Sequence, residues 1–318
     1  MHDWLTGLRL MPGAVPPPVA HELLPDPAIG ELALRLAGLR RKLQRAVPAS
    51  DKVVAATVRT LLRLELCLLK PYRIALMGEF NAGKSSIANL LIGTSMMPTR
   101  AVSNTRVPTV IRHAPAPALV AVRGDGSMLT LHEGALPDVG AVTRLDVVLP
   151  LERLRVMEIV DLPGMSDPWL QPQSLDVTRL GIDAAIWCTL ATQAWKDSER
   201  IAWLGLPDEI RRHGLLIATN KDLLQGDEQT RVLARLRSLA GALFQDIVML
   251  ATPQALSALD PRLTEADRTA LGQASGGAAL EGHMKAMLQS LARRRFEAIA
   301  DAAERAAGRA LQRLQNAE

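Results

Sequence analysis

The sequence is poor in the residues that build disulfide scaffolds, redox centres and nucleic-acid platforms. Only two of its 318 residues are cysteines, and Cys67 and Cys188 lie in apolar runs without C-x-x-C spacing. A disulfide framework and a cysteine-based zinc site are therefore not expected, and a reducing compartment is favoured. Aromatic residues make up 3% of the chain, which argues against a stacking platform for single-stranded nucleic acid. The net charge of +4 is too small to indicate a nucleic-acid partner.

Long apolar runs are also missing. The best candidates are residues 61–69 and Ala184–Leu190, which are shorter than the roughly 20 residues that a membrane-spanning helix needs. The first residues lack the charged start and apolar core of a secretory signal. We therefore expect a cytoplasmic protein without a transmembrane segment, for which peripheral contact at the inner membrane surface stays open.

Strand-like and helix-like segments alternate through the middle of the chain. Short apolar runs bounded by turn residues predict strands, and apolar residues at helical spacing predict helices between them. This alternation predicts an α/β fold with a mostly parallel, helix-flanked central sheet. The predicted strands lie at residues 73–77, 110–113, 118–131 (a hairpin), 145–149, 156–160, 184–189, 215–219 and 247–251.

Amphipathic helices are predicted on both sides of this α/β region. Two lie at residues 29–47 and 49–69, the second with Ser50 and Asp51 as candidate caps, and a third covers residues 282–315. With no sheet of their own, they are expected to bury their apolar stripes against each other as a short helical neck. The predicted organisation is an irregular Pro-rich arm at 1–28, N-terminal neck helices at 29–70, an α/β domain at 71–280 and a C-terminal neck helix at 281–318.

The most specific motif is G-E-F-N-A-G-K-S at residues 78–85, which fits G-x-x-x-x-G-K-[ST]. A predicted strand precedes it and a predicted helix follows, which is the context that this motif requires. In such a loop the backbone N–H groups cradle phosphates, Lys84 reaches the terminal phosphates and the Ser85 hydroxyl ligates Mg²⁺. The positive end of the following helix adds to the anion site. The predicted nucleotide contacts in this loop are Gly78, Asn81, Ala82, Gly83, Lys84, Ser85 and Ser86.

A second motif, D-L-P-G, starts at Asp161 directly after the predicted strand 156–160. It follows Lys84 by 161 − 84 = 77 residues. At the carboxyl end of a strand, Asp161 is placed to hold Mg²⁺ through water, and the Gly164 N–H to contact the γ-phosphate. An ordinary turn is the alternative interpretation of this motif.

A polar, Pro-containing connection at residues 97–109 lies between these two motifs. A switch segment of a nucleotide-binding protein needs a threonine whose hydroxyl reaches Mg²⁺ and whose backbone touches the γ-phosphate. Thr105 is the predicted residue, and Thr99 and Thr109 are its rivals.

The segment Thr219-Asn220-Lys221-Asp222 follows another predicted strand. An aspartate there would accept hydrogen bonds from the N1–H and the exocyclic amine of guanine, which favours guanine over adenine. As T-x-x-D, Asp222 occupies the aspartate position and Asn220 replaces the usual lysine. As N-K-x-D, Asn220 and Lys221 match but Leu223 falls where the acid belongs. Both alignments leave Asp222 as the carboxylate for the base, and all four residues of the segment are predicted nucleotide contacts.

Together these residues resemble the bacterial dynamin-like GTPases. The resemblance rests on G-E-F-N-A-G-K-S-S followed by I-A-N-L-L-I-G, then M-P-T, T-x-V-x-T-V-I-R, D-L-P-G and T-N-K-D-L-L in that order. It covers residues 72–252, and the flanking helices are similar to the family's neck in position and character. The resemblance implies that the α/β domain is a dynamin-type GTPase domain that binds GTP, GDP and Mg²⁺. By the same resemblance the nucleotide and Mg²⁺ contacts are Lys84, Ser85, Thr105, Asp161, Gly164 and Asp222.

The family also implies weak nucleotide affinity, dimerisation across the GTP face and membrane remodelling. This chain departs from that pattern twice. Phe80 stands where eukaryotic dynamins have a glutamine that positions the attacking water, so slow turnover is expected. Only 318 − 252 = 66 residues follow the last motif, too few for a long helical stalk.

The sequence therefore predicts a dynamin-like GTPase with slow, dimer-stimulated hydrolysis. Lys84 would balance developing charge, and Thr105 and Gly164 would position water. Nucleotide state is expected to control self-association, a hetero-partner or membrane-surface binding. One alternative is a nucleotide-gated scaffold with negligible turnover. A second is a ribosome- or RNA-associated GTPase, which predicts RNA binding with a steep salt dependence.

Overall fold

The computed structural model describes residues 27–46, 51–93, 107–131, 142–164, 177, 179–193 and 195–315. Taken over these residues, the chain forms two compact units. One consists of residues 72–285, and the other of residues 27–71 and 286–315.

The first unit is built on a nine-stranded sheet with the order β4-β3-β5-β2-β6-β1-β7-β8-β9. Its strands are β1 (Tyr72–Gly78), β2 (Thr109–His113), β3 (Ala118–Arg123), β4 (Met128–Leu131), β5 (Val142–Leu149), β6 (Met157–Asp161), β7 (Ala184–Leu190), β8 (Leu215–Thr219) and β9 (Asp246–Met249). Strands β6, β1, β7, β8 and β9 are parallel neighbours, as are β2 and β5. The predicted mostly parallel α/β sheet is therefore confirmed.

One half of the sheet departs from parallel pairing. β2 is antiparallel to β6, and β3 is antiparallel to both β4 and β5. The β3–β4 hairpin forms at the predicted place, around a tight turn in which Gly126 adopts a φ of 83°. A short turn can join antiparallel strands, whereas parallel strands need a crossover.

The first unit also contains helices between the strands and after the last strand. They are α3 (Lys84–Ile92), α4 (Asp197–Leu204), α5 (Asp208–Arg211), α6 (Glu228–Ala240), α7 (Thr252–Ser257), α8 (Glu265–Ser275) and the start of α9 (Gly277–Gln315), with 3₁₀ turns at Glu152–Arg155 and Lys221–Leu223. Helix α9 begins before the predicted position at residue 282. Gly276 ends α8 with a φ of 87°, and α9 follows at once, since glycine tolerates this left-handed conformation.

The core of the first unit is dominated by the central parallel strands. Strand β7 is buried along almost its whole length, as expected for a strand covered on both faces. Its Trp187 makes edge-on contacts with Trp195 and Trp203 at centroid distances of 6.0 and 6.1 Å. Trp203 in turn stacks on Phe244 at 4.3 Å. These aromatic contacts pack α4, through Trp203, against β7.

The second unit contains α1 (Pro27–Ala46), α2 (Lys52–Leu69) and the C-terminal part of α9. Asp51 caps α2, because its Oδ1 accepts hydrogen bonds from the N–H groups of Val53 at 2.9 Å and Val54 at 3.1 Å. The three helices share one apolar cluster, as predicted for the neck. Its buried members are Ile29, Ala33, Leu36, Leu43, Val54, Leu61, Leu68, Ile299, Ala303 and Ala306.

Across the described ranges, none of the helices combines the length and apolar character needed to cross a lipid bilayer.

Candidate nucleotide site

The phosphate loop leaves the carboxyl end of β1 through a tight turn. Gly78 has a φ of 139°, and a Cβ atom there would lie 2.1 Å from the carbonyl oxygen of Cys188 in β7. Asn81 and Gly83 have φ values of 60° and 81°. The glycine at position 78 is therefore required by both the backbone conformation and the close approach of the neighbouring strand.

Lys84 is the first residue of α3, and it is only 8% exposed. Its Nζ donates to the carbonyl oxygens of Gly78 at 3.3 Å and Glu79 at 2.8 Å. Burial lowers the pKa of Lys84, an effect opposed chiefly by the negative charge of Asp161. The ammonium group is thus held over the loop, in the first turn of a helix whose positive end favours anions.

Ser85 and Asp161 meet at the same edge of the sheet. The Ser85 hydroxyl donates to Oδ2 of Asp161 at 2.7 Å, and the following residue, Ser86, continues the first turn of α3. Burial raises the pKa of Asp161, whereas the hydrogen bond from Ser85 and the charge of Lys84 lower it. The two motifs that predicted an Mg²⁺ site are therefore in direct contact.

The donor set around Asp161 fits a magnesium ion. Its Oδ1 is buried and accepts no hydrogen bond from any residue that the structure describes, although buried carboxylate oxygens are normally paired. A carboxylate and a hydroxyl beside a phosphate-binding loop are the hard oxygen ligands that Mg²⁺ takes together with substrate phosphates. Ser85 and Asp161 are thus the described side chains suited to hold it.

Gly164 lies against the phosphate loop. A Cβ atom on Gly164 would approach the backbone N and Cα of Phe80 to 2.8 Å, so only glycine fits without displacement. The Phe80 side chain itself is 55% exposed. The predicted γ-phosphate contact, Gly164, and the phosphate loop are therefore brought together.

The predicted switch threonine, Thr105, lies outside the described residues, as does its rival Thr99. The other rival, Thr109, begins β2, where it is buried and faces Asp161 across the antiparallel β2–β6 pair. The role predicted for Thr105 stays a prediction.

The predicted base-reading segment begins at the carboxyl end of β8, at the same edge of the sheet. Asn220 has a φ of 59°, and Lys221 and Asp222 begin a 3₁₀ turn in which Asp222 is exposed. The Lys221 N–H donates to the carbonyl oxygen of Leu250 at 3.2 Å, and its Nζ donates to that of Ala274 at 2.6 Å. These bonds turn Lys221 toward the protein and leave Asp222 as the carboxylate facing solvent.

Thr219 is positioned differently from the other three residues of this segment. It is fully buried, and its hydroxyl donates to the carbonyl oxygens of Ala82 at 3.1 Å and Thr189 at 3.2 Å. Its methyl group lies 3.4 Å from the position of a Cβ on Gly83. Thr219 thus contacts the phosphate loop from the end of β8. The sequence had instead predicted that it contacts the nucleotide together with the other three residues of the segment.

A group of polar residues beside the loop was not predicted from the sequence. The carboxylate of Glu79 pairs with Nζ of Lys196 at 2.6 Å, and the Ser198 hydroxyl lies 3.5 Å from its other oxygen. Glu199 is buried and accepts the Lys196 N–H at 2.9 Å. An acid three residues after a helix cap is a known local signal, but nothing local connects Lys196 with Glu79.

The chain is similar to proteins of the dynamin family. Residues 74–133 match the model of the dynamin family. Dynamin-like protein 2 of Campylobacter jejuni is 27% identical over 199 residues, which cover 60% of this chain and 33% of that protein. The isoniazid-induced protein IniC of Mycobacterium tuberculosis is 36% identical over 113 residues, covering 33% of this chain and 23% of that protein. The chain therefore spans a third or less of the curated relatives that it matches.

A solved structure of an oligomerised bacterial dynamin pair has a similar fold. The TM-score is 0.63 at 17% identity, and the match covers 87% of this chain and 54% of that one. Sheet, phosphate loop and helices together define a P-loop GTPase fold. The resemblance to the bacterial dynamin-like GTPases is confirmed.

Proposed function

We propose that this chain binds GTP with Mg²⁺ and hydrolyses it slowly to GDP and phosphate. The observation that carries the proposal is the hydrogen bond between Ser85 and Asp161 at the carboxyl edge of the sheet, beside the buried Lys84. The other carboxylate oxygen of Asp161 accepts no hydrogen bond from any described residue. Such an arrangement suits a phosphate chain with a bound divalent cation.

In this proposal each residue acts on a defined part of the substrate. Lys84, held beside the loop by the carbonyl oxygens of Gly78 and Glu79, directs its ammonium group to the terminal phosphates and balances the charge that develops during transfer. The backbone groups of Gly164 and Thr105 orient the attacking water. Asp222 accepts hydrogen bonds from guanine. Ser85 and Asp161 would hold Mg²⁺, which would neutralise negative charge on the phosphate oxygens.

Slow turnover is proposed because of Phe80. Its ring cannot accept or donate the hydrogen bonds that orient a water molecule, and it stands in the loop beside Gly164. We propose that self-association accelerates the reaction by bringing groups from a second copy to this face. The first test is steady-state phosphate release at increasing protein concentration, where dimer stimulation predicts a rise steeper than linear.

Nucleotide choice and metal use are tested by titration. Purified protein is titrated with fluorescent GTP, GDP and ATP, each with Mg²⁺ and with EDTA. The proposal predicts guanine over adenine and a clear loss of GTP affinity without Mg²⁺. Equal binding of GTP and ATP would contradict the base assignment, and no binding of either would remove the whole proposal.

A nucleotide-gated scaffold is the second candidate, and the exposed Phe80 favours it. In that case GTP binds but phosphate release stays at background at every protein concentration. The similar solved structure is described as sensing and tethering membranes, so we also propose peripheral membrane contact. Sedimentation with anionic liposomes in GDP and in a slowly hydrolysed GTP analogue tests lipid binding and self-association together.

A further inference from the structure

The start of the phosphate loop contacts two residues that belong to none of the sequence motifs described above. Glu79 follows Gly78, and its carboxylate contacts Nζ of Lys196 at 2.6 Å, while Ser198 approaches the other carboxylate oxygen at 3.5 Å. Lys196 directly precedes α4 and Ser198 lies in its first turn. The segment after β7 therefore touches the phosphate loop through side chains.

Glu79 also bears directly on Lys84. Its carbonyl oxygen accepts a hydrogen bond from Nζ of Lys84 at 2.8 Å. Lys196 therefore fixes the side chain of Glu79. The backbone of Glu79 in turn holds the ammonium group of Lys84, which is the proposed phosphate ligand. A shift of the Glu79 side chain would move the carbonyl that positions Lys84.

Lys196 is anchored in the core of the unit. Its backbone N–H donates to Glu199, which is 3% exposed. The carboxylate of Glu199 accepts two further hydrogen bonds from β7, from Nε1 of Trp187 at 2.9 Å and from the hydroxyl of Thr189 at 3.1 Å. A buried carboxylate with three donors is strongly fixed. The backbone of Lys196, which is hydrogen-bonded to it, is therefore held in place.

We propose that Lys196 is a positioning residue for the phosphate loop. By pairing with Glu79 it holds the start of the loop in the geometry that binds a triphosphate more tightly than a diphosphate. The preference follows because the backbone of Phe80, the next residue, lies directly against Gly164, the proposed γ-phosphate contact. This inference rests on the proposed GTP site and specifies what supports it.

The test compares Lys196→Met with the wild type. The pair is partly exposed, at 41% for Lys196 and 26% for Glu79, so we expect a loss of about fivefold in affinity for a non-hydrolysable GTP analogue, the upper end for such pairs. The affinity for GDP should fall less than about twofold. Screening by salt should shrink the difference between variant and wild type, which loss of packing alone would not do.

Glu79→Gln and the double variant complete a thermodynamic cycle. If the pair acts as a unit, the double variant binds the GTP analogue no more weakly than either single variant. Lys196→Arg keeps the charge and should restore most of the affinity. Arg200→Met is the matched control, because Arg200 lies in α4, which begins directly after Lys196, and pairs with Asp197 at 3.1 Å instead of with the loop. It should bind as the wild type does.

The outcomes separate this inference from the function on which it rests. If the wild type binds no guanine nucleotide, the proposed function fails. If the wild type binds GTP and Lys196→Met binds GTP and GDP with unchanged affinities, the positioning role is overturned. Equal losses for both nucleotides, additive effects in the cycle or insensitivity to salt also overturn it. Should Lys196→Met unfold, Glu79→Gln, which preserves shape, decides by the same GTP-to-GDP comparison.

Discussion

The two ends of the candidate site are built in different ways. At the phosphate end, the side chains of Lys84 and Asp161 are buried and those of Ser85 and Thr219 are tied to neighbouring strands or loops by hydrogen bonds. At the base end, Asp222 is exposed in a short 3₁₀ turn. A site assembled inside a sheet edge is preorganised, whereas an exposed carboxylate acts mainly by its own hydrogen bonds.

This difference suggests a division of labour. Changes at the phosphate end should alter binding of guanine and adenine nucleotides alike and also the stability of the fold, because buried polar groups lose their partners. Changes at the base end should alter selectivity and leave stability nearly unchanged, as is usual for exposed positions.

The strongest challenge to this comparison is Lys84→Ala. Removal of a charged donor from a preorganised site is expected to weaken GTP binding by at least about a hundredfold, because no other described lysine reaches the loop carbonyls. Fluorescent-nucleotide titration measures the loss, and circular dichroism verifies the fold. Lys52→Ala, at the exposed start of α2, is the control. Wild-type affinity in Lys84→Ala would exclude this site.

Asp222→Asn addresses the base end. Loss of a charged hydrogen-bond acceptor for guanine should lower GTP affinity by about ten- to a hundredfold, without a change in thermal stability. Xanthosine triphosphate, which has a carbonyl where guanosine has the amine, should then bind better than GTP. Asp227→Asn, at a second exposed acid before α6, should keep the GTP preference. If both variants behave alike, Asp222 does not read the base.

Thr219→Val tests whether this residue belongs to the phosphate end. The variant keeps the shape but removes the hydroxyl that bonds the carbonyl oxygens of Ala82 and Thr189. We expect a loss of about 1 kcal/mol in the free energy of unfolding and a drop of a few-fold in affinity for GTP and ATP alike. A selective loss of guanine preference would instead assign Thr219 to the base end.

Cys188 reports how closed the phosphate end is. Burial raises the pKa of its thiol from 9.0 to about 12, so at pH 8 the reactive thiolate is only about 10⁻⁴ of the total. A thiol reagent should label exposed Cys67 in the native protein and both thiols after denaturation. Cys67→Ser should therefore show no native labelling.

The same pKa has a consequence for stability. Above pH 9 the unfolded chain ionises this thiol while the folded chain does not until about pH 12. The free energy of unfolding is therefore unaffected by this thiol below pH 9, and it decreases as the pH rises from 9 toward 12. Rapid labelling of Cys188 at pH 8 would show that the phosphate end opens as readily as the base end.

Local patterns predicted much of this arrangement. The loop at 78–85 was recognisable because its glycines, lysine and serine sit at fixed spacing between a strand and a helix, and Asp161 because it ends a strand. The orientation of Thr219 was not predictable, since its partners are Ala82 in the phosphate loop and Thr189 in β7, both distant in sequence. The antiparallel pairing of β2 with β6 was also not predictable, because an apolar run indicates that a strand is buried and not in which direction it runs.

Residue spacing alone specifies the phosphate loop, the order of the motifs and the amphipathic neck helices, because each depends on neighbours along the chain. Packing decides which distant groups share the site. Glu79 and Lys196 are 117 residues apart in sequence and 2.6 Å apart in space. Only the parallel order of β1 and β7 places their carboxyl ends side by side, and short-range patterns carry no record of that pairing.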